Sequence, residues 1–301
     1  MKKRITSNKF DSKSIGVFSR NDLKTIKGQI IYWIFFSILV VVSVISVVPA
    51  IWTIFTAFKD TQDIYNSISF FPRDLSWNRI VGRISESWAQ LQLGRSIINT
   101  FLLSFGNLLV RIIVCGLGGY VLSKLKPKGT KLIFMLVVWT MMMPAQIRMV
   151  PTYMSYLHFP FASDKWEGLN LLDTFWPIWL GSGADTFAVL LFKNTFDGLS
   201  SSYVEAAKID GCSNSGIFFK IMLPLSMPIV IYQSIEVLGA TWSDFFNPLL
   251  ILDKNSVVPL EIYRMKSDST VQMNTYFMAL VFASIPPFLI FAILRRSGAR
   301  R

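Results

Sequence analysis

Two long runs without a charged residue set the strongest limit on what this chain can fold into. They are Gly28–Phe58 near the start of the chain and Ser269–Leu294 near its end. About 20 consecutive apolar residues are enough to cross the hydrocarbon core of a bilayer as an α-helix. Both runs exceed that length, so the chain is predicted to be an integral membrane protein whose first and last helices lie in lipid.

Four further apolar segments between these two are also predicted to span the membrane. They contain isolated charges, among them Arg111, Arg148, Asp185 and Glu236, so their ends are harder to place. The sequence therefore predicts an all-α membrane protein with six transmembrane helices. The four inner spans are Ser96–Ser123, Leu132–Tyr153, Thr174–Phe192 and Leu225–Leu249.

The distribution of basic residues predicts which side of the membrane each connection occupies. The chain has a net charge of +12, and lysine and arginine are concentrated in residues 1–27, 124–131 and 295–301. Short loops rich in these residues remain in the cytoplasm. We therefore predict a multi-pass protein of the cell membrane with both termini cytoplasmic: a basic segment 1–27, a six-helix domain 28–294 and a basic tail 295–301. The positive charge then reflects topology and not nucleic-acid binding, and the first span acts as a signal-anchor, not a cleaved signal peptide.

A polar loop, residues 202–224, separates the fourth and fifth predicted spans. It contains Tyr203-Val-Glu-Ala-Ala-Lys-Ile-Asp-Gly211 and, further on, Ile221-Met-Leu-Pro224. Ser202–Ile209 is predicted to be a helix, with Ser202 and Glu205 forming a capping box, and Gly211 to reverse the chain in a left-handed conformation. Asn214 and Ser215 are predicted to cap a second short helix, Gly216–Met222, that ends at Pro224.

This pattern resembles the signature loop of ABC-importer permeases, which docks on a cytoplasmic ATPase. The resemblance implies that Glu205 meets a basic residue of that ATPase and that the small residues beside it permit close docking. The alternative is an ordinary amphipathic interfacial helix with Val204, Ile209 and Phe218 facing lipid. The residues to which the resemblance assigns ATPase coupling are Glu205, Ala206, Ala207, Asp210, Gly211, Ile221, Leu223 and Pro224.

Four shorter motifs resemble the carbohydrate class of these permeases, specifically the maltose-type second subunit with a type I importer fold. They are Asn99-Thr100, Pro144-x-Gln146, Leu171-Leu-Asp-Thr174 and Trp242-Ser-Asp-Phe-Phe-Asn-Pro-Leu249. The resemblance implies a second six-helix permease, two ATPase subunits, an extracellular solute-binding protein and a sugar or oligosaccharide as cargo. This chain would then hold no cofactor, with ATP and Mg in the partner ATPase, and would contact membrane lipid. Ser243 stands where the family usually has Asn, and the connection 157–170 is expanded.

Charges inside a membrane need a partner or a water-filled path, because each costs about 2.5–3.5 kcal/mol to insert. Arg111, Asp185 and Glu236 are predicted near mid-membrane, either lining a polar route or forming a structural ion pair between Arg111 and one of the two carboxylates. Gly181-Ser-Gly183 and Pro286-Pro287 are predicted to loosen the fourth and sixth helices. The residues predicted to line a translocation path, unless they serve packing alone, are Trp179, Asp185, Tyr232, Gln233, Glu236, Trp242, Asp244 and Asn247.

Catalytic chemistry finds little support in this sequence. His158 is the only histidine and has no neighbouring ligands, so we assign no metal site and no catalytic residues. Gly211 and Gly216 have the spacing of a phosphate loop, but Ile217-Phe218 follow where Lys-Ser/Thr is required. The chain is therefore predicted not to be an enzyme. The alternatives are the same importer with a peptide or polyol cargo, or a passive channel.

Overall fold

The structure is a computed structural model that describes residues 25–66, 69–73, 76–90, 93–160 and 168–298. Most of the predicted basic segment 1–27, the middle of the connection 157–170 and the end of the tail 295–301 lie outside these ranges. Two π-helical turns occur in the described chain, at Val121–Leu125 directly after α4 and at Phe218–Met222 between α10 and α11. The α-helices are α1 (Ile26–Ala57), α2 (Thr61–Asn66), α3 (Trp77–Gln90), α4 (Leu93–Tyr120), α5 (Thr130–Met141), α6 (Ala145–Leu157), α7 (Trp176–Gly183), α8 (Thr186–Asp197), α9 (Ser202–Ile209), α10 (Asn214–Ile217), α11 (Leu223–Leu225), α12 (Met227–Ser243), α13 (Phe246–Ile251), α14 (Val258–Ser267) and α15 (Met273–Gly298).

The long helix α1 lies at the edge of the molecule and exposes most of its apolar side chains. Trp33 and Leu39, for example, are 60% and 64% exposed. Near its end α1 packs on α15, where the rings of Trp52 and Phe277 meet edge to face at 5.3 Å. A helix that is apolar on all sides is stable when lipid surrounds it, which agrees with a membrane-spanning first helix.

Three stretches of the described chain are long and apolar enough to cross a bilayer as single helices: Ile26–Ala57, Leu93–Leu125 and Met273–Ile293. Two bent pairs raise this number to five if each pair is one span. Thr130–Met141 and Gln146–Leu157 meet at 106°, and Asn214–Leu225 and Met227–Ser243 meet at 80°. The remaining predicted span, Thr174–Phe192, is divided between the short helices α7 and α8. Six spans therefore stays a prediction.

Both bends have local causes, which the sequence predicted only in part. Pro144 has an extended backbone before α6 and no N–H to continue α5, so the third span turns there. The prediction that Pro224 ends the second loop helix is wrong. The helical path continues through Pro224 to Leu225, and the break falls at Ser226, two residues before Pro228. Pro228 stands in the first turn of α12, where proline loses no hydrogen bond that the helix would make.

The fourth span breaks where small residues were predicted to loosen it. Helix α7 ends at Gly183, and α8 starts at Thr186 after Asp185, whose Oδ1 accepts a hydrogen bond from the Ala188 amide at 2.7 Å. The exposed N-terminal amides of α8 are thus capped by a side chain that the sequence placed in mid-membrane. By contrast, α15 stays helical through Pro286 and Pro287.

Helix α4 lies at the centre of the described structure and packs against α7, α8 and α12. Small residues allow these close contacts. A Cβ atom built on Gly119 would lie 2.7 Å from the backbone nitrogen of Lys193, and one on Gly116 would lie 3.1 Å from Cζ of Phe218. Gly116 and Gly119 therefore permit close packing of α4 against its neighbours.

One buried cluster, which we call the loop core, joins α4 and α8 to the polar loop. Its rings contact one another, with Tyr120 and Phe218 centred 5.7 Å apart and Phe192 and Phe196 6.0 Å apart. Residues from the loop are as deeply buried as those from the membrane helices, so the loop is part of the folded core. The loop core consists of Cys115, Tyr120, Ala188, Phe192, Phe196, Val204, Ala207, Ile217, Phe218 and Met222.

Candidate functional site

Three charged side chains from three helices form one ion cluster beside the break in the fourth span. Nη2 of Arg111, on α4, lies 3.2 Å from Oδ2 of Asp185, and Nη1 of the same guanidinium donates to Oε2 of Glu236 on α12. Only 12% of the Arg111 side chain is exposed, against 30% for Asp185 and 40% for Glu236. The predicted ion pair is thus confirmed, with both candidate carboxylates on one arginine.

The backbone groups freed by the break are bound by neighbouring side chains. The thiol of Cys115 lies 3.3 Å from the carbonyl oxygen of Gly183 and 3.5 Å from that of Asp185. The hydroxyl group of Thr140, on α5, lies 2.7 Å from that of Thr186 at the start of α8. Non-helical backbone is tolerated at membrane depth when protein groups surround it or when it lines a cavity. Both conditions are met here.

A cleft of about 310 Å³ opens next to the ion cluster, and we call it the inner cleft. Its walls include Asn107, Arg111, Thr241, Asp244 and Asn247. Nδ2 of Asn107 donates to Thr241 at 3.1 Å, whereas Oδ1 of Asn107 is buried without a partner in the described part of the chain. A volume near 300 Å³ with a few converging polar groups is typical of a small-molecule site.

Two larger clefts adjoin the inner cleft and share Tyr156 with it. One, of about 600 Å³, lies between α6 and α13, and the other, of about 700 Å³, lies between α6 and the break in the fourth span. Arg148 contributes to the walls of both, and Asp185 to the larger. All three clefts meet at Tyr156 on α6, and we call the two larger ones the outer clefts.

The polar loop presents a separate surface on α9. Val204 and Ala207 point into the loop core and are 6% and 4% exposed, while Glu205, Ala206 and Asp210 are exposed on the opposite side. Gly211 follows with φ +77°, as predicted for a residue that reverses the chain. The interfacial-helix alternative required Val204, Ile209 and Phe218 to face lipid. Ile209 is 86% exposed, but the structure buries Val204 and Phe218.

Hydrogen bonds fix the base of this loop to the end of α4. Asp197, the last residue of α8, accepts from Ser123 at 2.7 Å and from Lys193 at 2.6 Å, and Lys124 donates to the carbonyl of Leu199 at 2.6 Å. Burial raises the pKa of Asp197, but the bonds from Lys193 and Ser123 outweigh it, so the pKa lies below its usual value. The loop is thus held by a carboxylate that stays ionised at neutral pH.

The sequence that carries the loop and the two carboxylates of the ion cluster matches one protein family. The family is described as the binding-protein-dependent transport system inner membrane component, and the match covers residues 112–301, more than half of the chain. The chain belongs to this family. The predicted class of permease, and its place in a membrane as a multi-pass protein, are therefore confirmed.

Two relatives and one solved structure are similar to this chain. The chain is 34% identical to protein LplC of Bacillus subtilis over 48% of this chain and 44% of LplC. It is 29% identical to the polygalacturonan/rhamnogalacturonan transport system permease YtcP of the same organism, over 64% of this chain and 68% of YtcP. A chain of a bacterial ABC transporter involved in the import of the polysaccharide alginate has the same fold, with a TM-score of 0.74 at 20% identity, covering 93% of this chain and 99% of that one.

Three of the eight predicted path residues lie on the clefts: Asp185, Asp244 and Asn247. Trp179 packs on Gly106 and donates its indole N–H to the carbonyl of Leu103 at 3.1 Å. The other four also lie off the described cleft walls. Gln233 is buried, Trp242 meets Phe101 edge to face, Tyr232 is exposed and Glu236 binds Arg111.

The predicted coupling residues divide between the surface and the core. Glu205, Ala206, Asp210, Gly211 and Pro224 are exposed. Ala207 is buried in the loop core, and Ile221 and Leu223 are half-buried against it. These three residues can therefore contribute to docking only indirectly, through their packing in the loop core.

Sequence reasoning missed several residues of these surfaces. Asn107 lies one helical turn before Arg111 on the same face of α4, and that spacing is a signal that would have found it. Arg148 is visible as an isolated charge in an apolar span but was not assigned to the path. Tyr156 gave no signal, because only the fold brings it to all three clefts.

Removing the arginine of the ion cluster is expected to destabilise the protein. In Arg111→Met the carboxylates of Asp185 and Glu236 lose their shared cation, and breaking a buried pair costs about 3–5 kcal/mol; we expect roughly 2–3 kcal/mol because both acids are partly exposed. Thermal unfolding in detergent should show this as a lower Tm. The neutral variant Arg111→Met, Asp185→Asn, Glu236→Gln should recover most of the loss. An unchanged Tm in Arg111→Met would show that the cluster does not hold the helices together.

Proposed function

We propose that this chain is one permease subunit of an ATP-driven, binding-protein-dependent importer of a sugar or oligosaccharide. The family assignment supports a role in binding-protein-dependent transport. The relative YtcP is named as a transport permease for polygalacturonan and rhamnogalacturonan, and this supports a carbohydrate cargo here. The clefts suit such a cargo because amide, hydroxyl and aromatic groups line them together, and these groups bind sugar hydroxyls and ring faces.

The observation that carries the coupling part of this proposal is the two-sided placement of α9. One side is buried in the loop core with Phe192 and Phe196 of α8, and the other exposes Glu205, Ala206 and Asp210. A partner that pushes on the exposed side therefore moves residues packed directly on α8. Since Asp185 caps the start of α8, that movement reaches the ion cluster and the clefts.

Transport then proceeds by alternating access. An ATPase, which holds the ATP and Mg, closes and displaces the Glu205–Pro224 loop. The displacement tilts α8 and α12 about the breaks at Asp185 and Ser226, where the backbone lacks continuous helical hydrogen bonds. Discontinuous helices that meet at a polar site are a common basis for such movement in transporters.

The proposal includes three kinds of protein partner. A second six-helix permease completes the path, two ATPase subunits bind the loops from the cytoplasm, and an extracellular solute-binding protein delivers the cargo. Both termini of this chain and the loop then face the cytoplasm, as the basic flanking segments predict. Selection of the individual sugar is shared with the binding protein.

The first experiment is affinity purification of this chain from detergent-solubilised membranes, followed by reconstitution of the purified assembly into vesicles. Recovery of a second permease and an ATPase, with uptake that requires ATP and the binding protein, is the expected result. Uptake of a labelled peptide but of no sugar would support the importer and contradict the carbohydrate cargo. A chain that purifies alone and passes solutes without ATP would overturn the proposal in favour of a channel.

A further inference from the structure

Arg148 is an arginine on the clefts that makes no ion pair with any described residue. It lies in the first turns of α6, just after the bend at Pro144, and it lines both larger clefts. Its side chain is not among those in the ion pairs of the described chain, and the residue is exposed. A cation placed in an apolar span without a partner requires either water or an anion beside it.

The carboxylates on the clefts do not supply that anion. Asp185 faces the same cleft as Arg148, but its Oδ2 binds Arg111 and its Oδ1 caps α8. Asp244 lines the inner cleft, and its oxygens accept from the amides of Phe246 and Asn247 and from Nδ2 of Asn247. Both acids are therefore engaged within the protein, and Arg148 remains available to a solute.

The groups around Arg148 are of the kind that bind a sugar ring. The cleft between α6 and α13 also contains Gln146, Thr152, Tyr153, Tyr156 and Asn247, which offer hydrogen bonds and two phenol rings. A guanidinium group binds a carboxylate or a phosphate through two parallel hydrogen bonds, a geometry that neutral hydroxyl groups match less well. The cleft thus pairs sugar-binding groups with one free anion-binding group.

We propose that Arg148 selects an anionic sugar, with a carboxylate or phosphate group of the cargo bound by its guanidinium in the clefts along α6. This inference rests on the proposed function and narrows its cargo to a chemical class. A uronic acid unit and a sugar phosphate share the required anion, and the choice of probes separates them.

The test uses the complete transporter with its binding protein in vesicles, and three probes: trigalacturonate, the neutral maltotriose and glycerol phosphate. The variants are Arg148→Gln, which removes the charge, and Arg148→Lys, which keeps it without the planar fork. Arg73→Gln is the matched control, because Arg73 is a surface arginine whose side chain is 68% exposed and pairs with Asp63. ATP-dependent uptake is measured below saturation, and assembly is followed by size-exclusion chromatography.

Wild type should import trigalacturonate, and Arg148→Gln should slow that import about 10- to 100-fold, since hydrogen bonds to charged groups are worth about that factor. Arg148→Lys should be intermediate, and Arg73→Gln should match wild type. Import of glycerol phosphate with the same dependence on Arg148 would support an anionic cargo and identify phosphate as the group that Arg148 binds.

Two results would overturn the inference while leaving the importer in place. One is ATP-dependent uptake of maltotriose alone, equal in wild type and Arg148→Gln. The other is dissociation of the assembly in Arg148→Gln, which would show that Arg148 pairs with an acid of the second permease. An intact assembly with an ATPase that imports none of the probes would also contradict the anionic class. Absence of any ATPase partner would instead contradict the proposed function itself.

Discussion

Gly119→Ala is expected to destabilise this protein strongly although it adds one methyl group. That carbon would lie 2.7 Å from the backbone nitrogen of Lys193 and 2.7 Å from Cβ of Phe192, so α4 and α8 must separate to admit it. Overpacking of a filled core costs about 1–3 kcal/mol, and a backbone neighbour leaves no flexible side chain to move aside. Thermal unfolding in detergent should give a Tm lower by several degrees, and Gly119→Leu should leave little folded protein.

Gly118→Ala provides the control, because the neighbouring glycine faces a different environment. A Cβ atom there would meet Cγ2 of Val189 at 3.6 Å, which is ordinary van der Waals contact. This variant should change the free energy of unfolding by less than about 0.5 kcal/mol, so its Tm should stay close to that of the wild type. Equal Tm values for the Gly118 and Gly119 variants would contradict the close packing of α4 on α8.

Gly211→Val is expected to separate ATP hydrolysis from uptake in the reconstituted assembly while membrane insertion stays normal. Gly211 has φ +77°, a conformation that costs a β-branched residue about 1–2 kcal/mol, so the turn after α9 must change. Nothing lies within 4 Å of the position that a Cβ atom would take, so the core is not disturbed. Uptake should fall about 5- to 150-fold, the usual range for loss of coupling between two sites.

Gly211→Asn is the matched control for that change. Asparagine tolerates the left-handed conformation, so the turn is preserved although the side chain is larger. ATPase activity and uptake should both stay near wild type in this variant. Normal uptake in Gly211→Val would show that the turn does not transmit the movement and would remove Gly211 from the coupling residues.

The loop shows how far local sequence signals reach. Ser202–Ile209 is helical as predicted, and the left-handed Gly211 follows, because both depend on residues adjacent in the chain. The capping residues of the two loop helices were predicted less accurately. Ser201 stands at the cap position without a side-chain hydrogen bond, so the predicted capping box does not form, and Ser213 rather than Asn214 caps α10. Several serines compete at each cap, and the surrounding core selects among them.

The ion cluster shows a different limit. Isolated charges in apolar runs indicate that partners are needed, and this was enough to predict that Arg111 binds Asp185 or Glu236. The sequence did not indicate that one guanidinium serves both acids. That arrangement depends on how α4, α8 and α12 meet, which is a property of packing.

The sequence by itself determined the membrane class, the permease family and the position of the loop, because charge-free length and short-range loop patterns are local properties of the chain. Only the tertiary structure decided where the spans break and which side chains form the clefts. Asn107 on α4, Arg148 and Tyr156 on α6, and Asn247 on α13 come from three helices that adjoin at the clefts. At the centre of the fold, α4 closely approaches α7, α8 and α12. Small residues in α4 permit that approach, and the choice of neighbours is made by packing over the whole fold.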